Sequence, residues 1–334
     1  MSGMHIALEV LGTGEFVPGR RVESSEFDRR WSKEAGWTFA HTGVHSRAFV
    51  QDGEDAISMG VAAARDALEA ASLRVDELDA IISIGSVPYQ AIPCTAVFLQ
   101  RAMGLCDSGI AAFDINSTCL GFIVALDLVA QGIATGRFRH VLIIASEPAS
   151  GALNWDDTLT AGLFGDGAGA VVLGVPRRTG PTLRASFVRT YSRGAELCQI
   201  RSGGSGLNPR TRLEEFMTGT VFEMKGRPTF KLAAELLPPF LSTLMERAGI
   251  APRDVDTWVP HQASGHALSH LQASLELPAE RLVMTLPTHG NQVSASLPIA
   301  LHRGVTRRQI EPGSVVTLLG AGAGMSLGGA VLSF

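Results

Sequence analysis

The sequence is poor in charged residues and lacks several features that would define other classes of protein. Only 18% of its 334 residues are charged, and the formal net charge is −4. It has no long Lys/Arg run to bind a polyanion, which excludes nucleic acid as a partner. No eighteen apolar residues run together, which excludes a membrane span. The first residues carry no charged segment ahead of an apolar stretch, so we expect a cytoplasmic protein.

The chain also lacks paired cysteines. Its four cysteines form no C-x-x-C motif and no spacing typical of a secreted disulfide framework, so we expect free thiols in a reducing compartment. They are Cys94, Cys106, Cys119 and Cys198. A free cysteine is more often a small buried apolar side chain than a nucleophile. We therefore expect three of them to serve packing, and Cys119 needs support from its surroundings before it is given a chemical role.

What the sequence does contain is a weak internal repeat. "EDAISMGVAAARDALEAASLRVDELDAIISIG" predicts an amphipathic helix, a polar turn and a buried strand, and "RPTFKLAAELLPPFLSTLMERAGIAPRDVDTWVPHQ" predicts the same order again. "AAFDINSTCLGFIVALDLVAQG" and "RLVMTLPTHGNQVSASLPIALHRG" each predict a strand, a turn and a helix. Each half then closes on Gly-rich strands. The repeat predicts two halves of similar build.

The repeat and the composition together predict an α/β fold. Hydrophobic residues make up 46% of the chain, enough for a large core. Wholly apolar strands that alternate with helices belong in sheets covered on both faces. We therefore predict two duplicated βα halves, residues 1–180 and 181–334. Residues 177–219 break the periodicity, and we expect short strands and a lid there.

Three polar turns are predicted to meet where the strands of the two halves end, which is where α/β proteins place their sites. These turns carry Cys119, His261 and Asn291. A thiol at a helix start faces free N–H groups, so we expect a pKa well below the usual value of about 8.5. An imidazole and a carboxamide can donate hydrogen bonds to an oxyanion. The set is suited to acyl transfer.

Several motifs in order give the chain a specific resemblance. "STCLGF", "GDGAGAVVLG", "VPHQA", "HGN…SAS" and the terminal Gly-rich strand resemble beta-ketoacyl-acyl carrier protein synthase III of the thiolase superfamily over essentially the whole chain. The resemblance implies a thiolase-like fold with a layered αβαβα architecture. It also implies a homodimer in which the neighbour's "AIPCT" turn lies at the floor of the acyl pocket.

The same resemblance implies a two-step reaction without a cofactor. Cys119 takes an acyl group from a coenzyme A or carrier-protein thioester, and a malonyl thioester then loses carbon dioxide and attacks it. The 3-oxoacyl product starts a fatty acid or a polyketide. By this resemblance His261 and Asn291 donate hydrogen bonds to the enolate, and the backbone N–H groups of Cys119 and Ala323 stabilise the acyl oxyanion.

The chain departs from the family pattern where coenzyme A would bind. Trp37 is kept for stacking on adenine, but His41 and Thr158 stand where the family has arginines that hold coenzyme A. We therefore expect free coenzyme A to bind poorly.

Further departures affect the carrier protein and the acyl group. His266 replaces an arginine that docks the acidic carrier protein, which leaves a basic rim of Lys225, Arg227 and Lys231. Ile92 stands where relatives with short donors have an aromatic ring, which favours a donor that is longer than acetyl or branched.

Other functions remain open at this stage. An acyltransferase of the same fold would pass the acyl group to an oxygen, nitrogen or other carbon nucleophile. A catalytically silent partner subunit would not need Cys119, His261 and Asn291 together. A dinucleotide site at "GAGAGMSLGG" is disfavoured because no crossover helix follows. A metal site at His261, His266 and His270 is disfavoured because no carboxylate or thiol lies at ligand spacing.

Overall fold

The computed structural model describes residues 5–334. In chain order its strands are β1 (Ile6–Ala7), β2 (Glu9–Phe16), β3 (Arg20–Glu23), β4 (Ser46–Phe49), β5 (Ala80–Ser83), β6 (Ala111–Asp114), β7 (His140–Glu147), β8 (Gly167–Gly174), β9 (Thr182–Thr190), β10 (Cys198–Gln199), β11 (Glu223–Met224), β12 (Thr257–Pro260), β13 (Val315–Gly322) and β14 (Ser326–Ser333). Its α-helices are α1 (Ser24–Arg30), α2 (Trp37–Thr42), α3 (Ala56–Ala71), α4 (Thr95–Ala102), α5 (Gly121–Ala134), α6 (Thr158–Ala161), α7 (Leu213–Thr218), α8 (Gly226–Ala248), α9 (Gly265–Ser274), α10 (Leu286–His289) and α11 (Ser296–Thr306). Within this described part of the chain, no helix is both long and apolar enough to cross a bilayer.

Two five-stranded sheets carry the repeat that the sequence predicts. The first has the strand order β2-β8-β7-β5-β6 and the second has the order β1-β9-β14-β13-β12. In the first, β7 pairs antiparallel with β8 and parallel with β5. In the second, β13 pairs antiparallel with β14 and parallel with β12. The same pairing pattern occurs twice, which confirms the predicted duplication.

Helices α5 and α11 form a layer between the two sheets. α5 packs against β7 and β8 of the first sheet and β9 and β14 of the second, and α11 packs against β2, β8 and β12. α3 covers the outer face of the first sheet, and α8 covers that of the second. The strands are apolar because both faces are covered, and all eight residues of β8 are buried. The layered αβαβα fold implied by the resemblance is confirmed.

The two sheets divide the chain unequally. The first is built from residues 9–174, and four strands of the second come from residues 182–333. The exception is β1, which pairs antiparallel with β9. The segment expected to hold short strands and a lid supplies β9, which is nine residues long. The division into 1–180 and 181–334 stays a prediction.

The strand predicted within "RLVMT" is wrong, because this segment makes a single parallel bridge between Trp258 and Leu282. A side chain takes over the role of the missing strand. Gln262 is fully buried and its Nε2 donates to the carbonyl oxygen of Val283 at 3.1 Å. Its Oε1 accepts from the backbone N–H groups of Thr285 and Leu286 at 2.9 and 3.0 Å. These bonds satisfy the backbone polar groups that a ladder would otherwise pair.

Candidate active site

Cys119 lies in the 3₁₀ turn Thr118–Leu120, directly before α5. Thr118 has a φ of 47°, a conformation that costs a β-branched residue about 1–3 kcal/mol. Gly121 begins the helix, and a Cβ there would lie 2.9 Å from Cβ of Ile84, which follows β5. The glycine therefore lets the helix start approach the end of β5 closely, and this approach fixes the Cys119 turn.

The sulfur of Cys119 faces two backbone N–H groups, its own and that of Ala323 in the turn between β13 and β14. These are the two groups expected to act as oxyanion donors. The expectation of a lowered pKa is wrong. Burial raises the pKa of the Cys119 thiol to about 12, and the carboxylate of Glu147 and the thiol of Cys198 add to the rise. The two N–H groups act in the opposite direction but do not outweigh the loss of water.

His261 follows β12 and is 5% exposed. Its backbone N–H donates to the carbonyl oxygen of Leu319 on β13 at 2.7 Å. Burial lowers the pKa of the His261 imidazole to about 4, so the ring is neutral at pH 7 and carries one N–H. Its Nδ1 is buried without a hydrogen-bond partner in the part of the chain described. The ring is thus available as a neutral donor through the nitrogen that carries its hydrogen.

Asn291 is 6% exposed and its carboxamide is fixed by two hydrogen bonds. Its Oδ1 accepts from the N–H of Val293 at 2.9 Å, and its Nδ2 donates to the carbonyl oxygen of Ala263 at 3.2 Å. Because Nδ2 carries two hydrogens, one is left for a further acceptor. Ala263 lies two residues after His261, so the bond ties the two turns together.

The structure brings the three turns to one place. The turn Thr118–Leu120 packs against β13 and against the 3₁₀ turn Val293–Ala295 that follows Asn291. Gly320 on β13 shows how tight the contact is. A Cβ there would lie 2.9 Å from Leu120 Cδ2 and 3.2 Å from His261 Cβ. The three residues that the sequence predicts for the site, Cys119, His261 and Asn291, therefore lie in adjoining turns.

The two halves repeat one hydrogen-bonding arrangement around this place. Asn116 Oδ1 accepts from the N–H of Thr118, and its Nδ2 donates to the carbonyl oxygen of Ser86, both at 3.2 Å. Asn291 does the same with Val293 and Ala263 in the second half. Thr118 and Val293 each begin a 3₁₀ turn with a positive φ. Sequence reasoning missed Asn116, although each asparagine lies two residues before its turn and the repeat could have revealed it.

A second residue that sequence reasoning missed is Glu147, the last residue of β7. It is 3% exposed, and its Oε1 accepts from the N–H of Ser86 at 2.6 Å and from Oγ of Ser294 at 2.5 Å. Burial raises the pKa of this carboxyl group. The pattern of "HVLIIASE" predicts a strand, but it does not indicate whether the glutamate at its end is buried or exposed to solvent.

The residues expected near coenzyme A lie on adjoining helices at the surface. Trp37 and His41 are on α2, which packs against α6, where Thr158 is the first residue. The rings of Trp37 and His41 stack with centroids 4.1 Å apart, and Nζ of Lys33 lies 4.9 Å from the Trp37 ring centroid. The indole is therefore already flanked by two side chains of its own chain.

The remaining predicted residues are exposed. Lys225, Arg227 and Lys231 lie at the start of α8, and His266 lies in the first turn of α9, which packs against α2. Ile92, in the loop between β5 and α4, is 84% exposed. Among residues 5–334 no group of three or more His, Cys, Asp and Glu side chains is arranged to hold a metal ion.

Comparison with known proteins extends this description. A family model described as 3-oxoacyl-[acyl-carrier-protein (ACP)] synthase III matches residues 113–192, and the model of its C-terminal part matches residues 245–334. The beta-ketoacyl-[acyl-carrier-protein] synthase III of Thiobacillus denitrificans is 32% identical over 97% of this chain and 98% of its own length. That of Rhizorhabdus wittichii is 34% identical over the same shares.

Solved structures agree over the whole chain. The 3-oxoacyl-[acyl-carrier-protein] synthase III of Aquifex aeolicus has a TM-score of 0.88 at 30% identity, and it covers 98% of this chain and 100% of its own. The priming beta-ketosynthase of the R1128 polyketide pathway has a TM-score of 0.88 at 28% identity, and it covers 100% and 98%. Fold and site together define an acyl-transferring synthase with a thiolase-type fold. The chain belongs to the beta-ketoacyl-[acyl-carrier-protein] synthase III family.

Proposed function

We propose that this protein joins an acyl group to a malonyl thioester with loss of carbon dioxide, and so begins a fatty acid or polyketide chain. The proposal rests on three side chains in adjoining turns. The sulfur of Cys119 faces two N–H groups, the imidazole of His261 is neutral, and the carboxamide of Asn291 is oriented by hydrogen bonds. The named relatives are synthases of this type, and one solved neighbour primes a polyketide pathway.

In the first step Cys119 attacks the carbonyl carbon of an acyl thioester. The oxygen becomes an oxyanion beside the N–H groups of Cys119 and Ala323, which are already in place and need no reorganisation. The carbon–sulfur bond of the donor breaks, and the departing thiolate takes the proton that Cys119 loses. The raised pKa of Cys119 means that this proton leaves only as the new bond forms, so the resting enzyme holds a thiol.

In the second step a malonyl thioester binds with its thioester oxygen toward His261 and Asn291. Loss of carbon dioxide leaves an enolate, whose oxygen accepts from Nε2 of His261 and from the free hydrogen of Asn291 Nδ2. The enolate carbon attacks the acyl-cysteine and expels its sulfur as a thiolate, which takes a proton from solvent. Because the pKa of His261 is about 4, its ring stays neutral and serves as a donor that does not titrate near pH 7.

We further propose that a carrier protein, and not coenzyme A, delivers the acyl group. His41 covers one face of the Trp37 ring, and neither it nor Thr158 provides a fixed positive charge for a nucleotide phosphate. The exposed Lys225, Arg227 and Lys231 suit an acidic protein surface. Ile92 would reach the acyl pocket of the second subunit across the dimer interface. It supports a donor that is longer than acetyl or branched.

The homodimer is also a proposal, and it rests on an open sheet edge. β6 ends the first sheet and pairs only with β5 among the described strands. Phe113 on β6 is 36% exposed, and the neighbouring loop exposes Val87 (56%), Tyr89 (45%) and Ile92 (84%). An unpaired edge beside exposed apolar side chains is a ready surface for a second strand. Two copies of β6 related by a two-fold axis would satisfy both edges.

The function is tested by following both half-reactions separately. The protein is incubated with an acyl-carrier protein and malonyl-carrier protein, acylation of Cys119 is read by intact mass, and carbon dioxide release is measured. Wild type is expected to show both. His261→Ala and Asn291→Ala are expected to keep acylation and to lose carbon dioxide release, since their donors act in the second step. Cys119→Ala is expected to lose acylation.

Each alternative predicts a different result. Acylated Cys119 without carbon dioxide release would overturn the condensation and favour transfer to an oxygen, nitrogen or other carbon nucleophile. Unmodified Cys119 would favour a silent partner subunit. Acylation by acyl-coenzyme A at the same rate as by the carrier protein would contradict the proposed donor.

A further inference from the structure

Glu147 is a buried carboxylate for which the proposed chemistry has no use. It lies at the end of β7, is 3% exposed, and both of its hydrogen bonds fall on the same oxygen. The donors are the N–H of Ser86 and the hydroxyl of Ser294, and neither carries a charge. A buried carboxylate without a cation is costly, and such a group persists where a site depends on it.

The two bonds connect Glu147 to both asparagine turns. Ser294 lies three residues after Asn291, in the 3₁₀ turn Val293–Ala295. Ser86 passes the connection to the other turn, because its carbonyl oxygen accepts from Asn116 Nδ2 at 3.2 Å. Asn116 in turn holds the N–H of Thr118, the residue before Cys119, at 3.2 Å. Glu147 is thus the point at which the two repeated arrangements are joined.

The same carboxylate acts on the sulfur through its charge. Two titratable groups add to the effect of burial on the Cys119 thiol: Glu147 from β7 and Cys198 from β10. Cys198 is itself a thiol whose pKa is raised by burial. Of the two, Glu147 is the carboxylic acid, and in its ionised form it opposes thiolate formation, although burial of the sulfur is the larger cause.

We propose that Glu147 is a positioning residue that holds the Cys119 turn and the Asn291 turn in register, and that its replacement changes the reactivity of Cys119 as well as the condensation. The effect on turnover rests on the proposed function, whereas the effect on the thiol does not.

Two variants separate the charge from the hydrogen bonds. Glu147→Gln keeps an oxygen for both donors and removes the charge. Ser294→Ala keeps the carboxylate and removes the bond to the Asn291 turn. Asp166→Asn is the matched control, because Asp166 is also a fully buried carboxylate that accepts from serine, at Ser150, but it does not act on Cys119.

The readout for the charge is alkylation of Cys119 by iodoacetamide at pH 8, followed by mass, which needs no thioester. Glu147→Gln removes a group that opposes thiolate formation at Cys119, so it is expected to react several-fold faster than wild type. Asp166→Asn is expected to react at the wild-type rate, and a role in stability alone would not change this rate.

The readout for positioning is carbon dioxide release by the full protein with both carrier-protein substrates. Ser294→Ala is expected to lower kcat on the order of ten-fold, because a small displacement of Asn291 weakens its bond to the enolate. The proposal is overturned if Glu147→Gln is alkylated at the wild-type rate, or if Ser294→Ala condenses at the wild-type rate. A wild type that releases no carbon dioxide contradicts the proposed function, and the alkylation result still decides the role of the charge.

Discussion

At the scale of single residues, burial controls the chemistry of the site. Cys119 and His261 both lose water, and in each case burial favours the neutral form, a thiol and an uncharged imidazole. A neutral pair suits the two successive steps, because neither group has to change protonation before substrate arrives. It also makes the native state sensitive to acid.

His261 is expected to weaken the fold as the pH falls. Its pKa is about 4 in the native state against 6.5 in an open chain, so the unfolded chain binds the proton first. The stability is fully present above pH 6.5 and is lost as the pH falls toward 4, by about 3 kcal/mol in all. His261→Gln removes this loss. Urea unfolding at pH 7.5 and at pH 4.5 is expected to show a difference between the two conditions that is about 2 kcal/mol smaller for the variant than for wild type.

His270→Gln is the control for this measurement, because His270 is exposed on α9. It is expected to follow the wild-type pH dependence. Equal pH dependence in wild type and His261→Gln would show that the ring is not held neutral by burial.

The sequence predicts the main residues of this site but not their electrostatics. Cys119 and His261 each follow a strand, and Asn291 lies in the recognisable motif "HGN…SAS", so local pattern is enough to select all three. The rise in the pKa of Cys119 depends on burial and on Glu147 and Cys198, which lie 28 and 79 positions further along the chain. A local sequence pattern does not indicate that these distant residues lie close to Cys119 in the fold.

At the scale of elements, the position of α5 depends on a glycine. A Cβ at Gly121 would lie 2.9 Å from Ile84 Cβ and 3.0 Å from the carbonyl oxygen of Ile84. Gly121→Ala is therefore expected to push the helix start away from β5 and to cost roughly 1–3 kcal/mol of unfolding free energy. Acylation of Cys119 is expected to slow, as measured by intact mass over time.

Gly151→Ala is the matched control, since no atom lies within 4 Å of the Cβ it would add. It is expected to unfold and to acylate like wild type. A Gly121→Ala protein that behaves in the same way would mean that the helix start tolerates the extra atom without moving.

Gln262 offers a second test at this scale, because its side chain replaces a strand partner. Gln262→Met fills a similar volume but leaves the carbonyl oxygen of Val283 and the N–H groups of Thr285 and Leu286 unpaired. The expected loss is on the order of 3 kcal/mol in urea unfolding. Gln309→Met, which gives up one bond to the carbonyl oxygen of Glu280 at 3.3 Å, is the control. A similar small loss in both variants would contradict this role.

The same side chain explains why one element was predicted wrongly. The apolar run at residues 282–286 has the composition of a strand, and its counterpart β6 is one. What differs is the buried amide of Gln262, which is twenty or more positions away and offers the backbone another partner. The helices α3, α5, α8 and α11 do follow from periodicity alone, and α8 continues through Pro238 and Pro239.

At the scale of the whole molecule, the proposed dimer explains the exposed apolar side chains around β6. Sedimentation of wild type is expected to show a dimer at micromolar concentration. Phe113→Asp and Ile92→Asp are expected to shift the population toward monomer, because each buries a charge in the interface. Val175→Asp alters an apolar residue that is 46% exposed beyond β8, and it is expected to remain dimeric. A wild type that sediments as a monomer would end the proposal.

The duplicated fold has a consequence for how such a protein can be recombined. The thiol belongs to one copy of the repeat, while the imidazole and the carboxamide belong to the other, so neither copy carries a complete reaction centre. A chimera that joins residues 9–174 of one relative to the remainder of another would take its nucleophile from the first parent, and its imidazole, its carboxamide and the Ala323 N–H from the second. Even the acylation step would then depend on both parents.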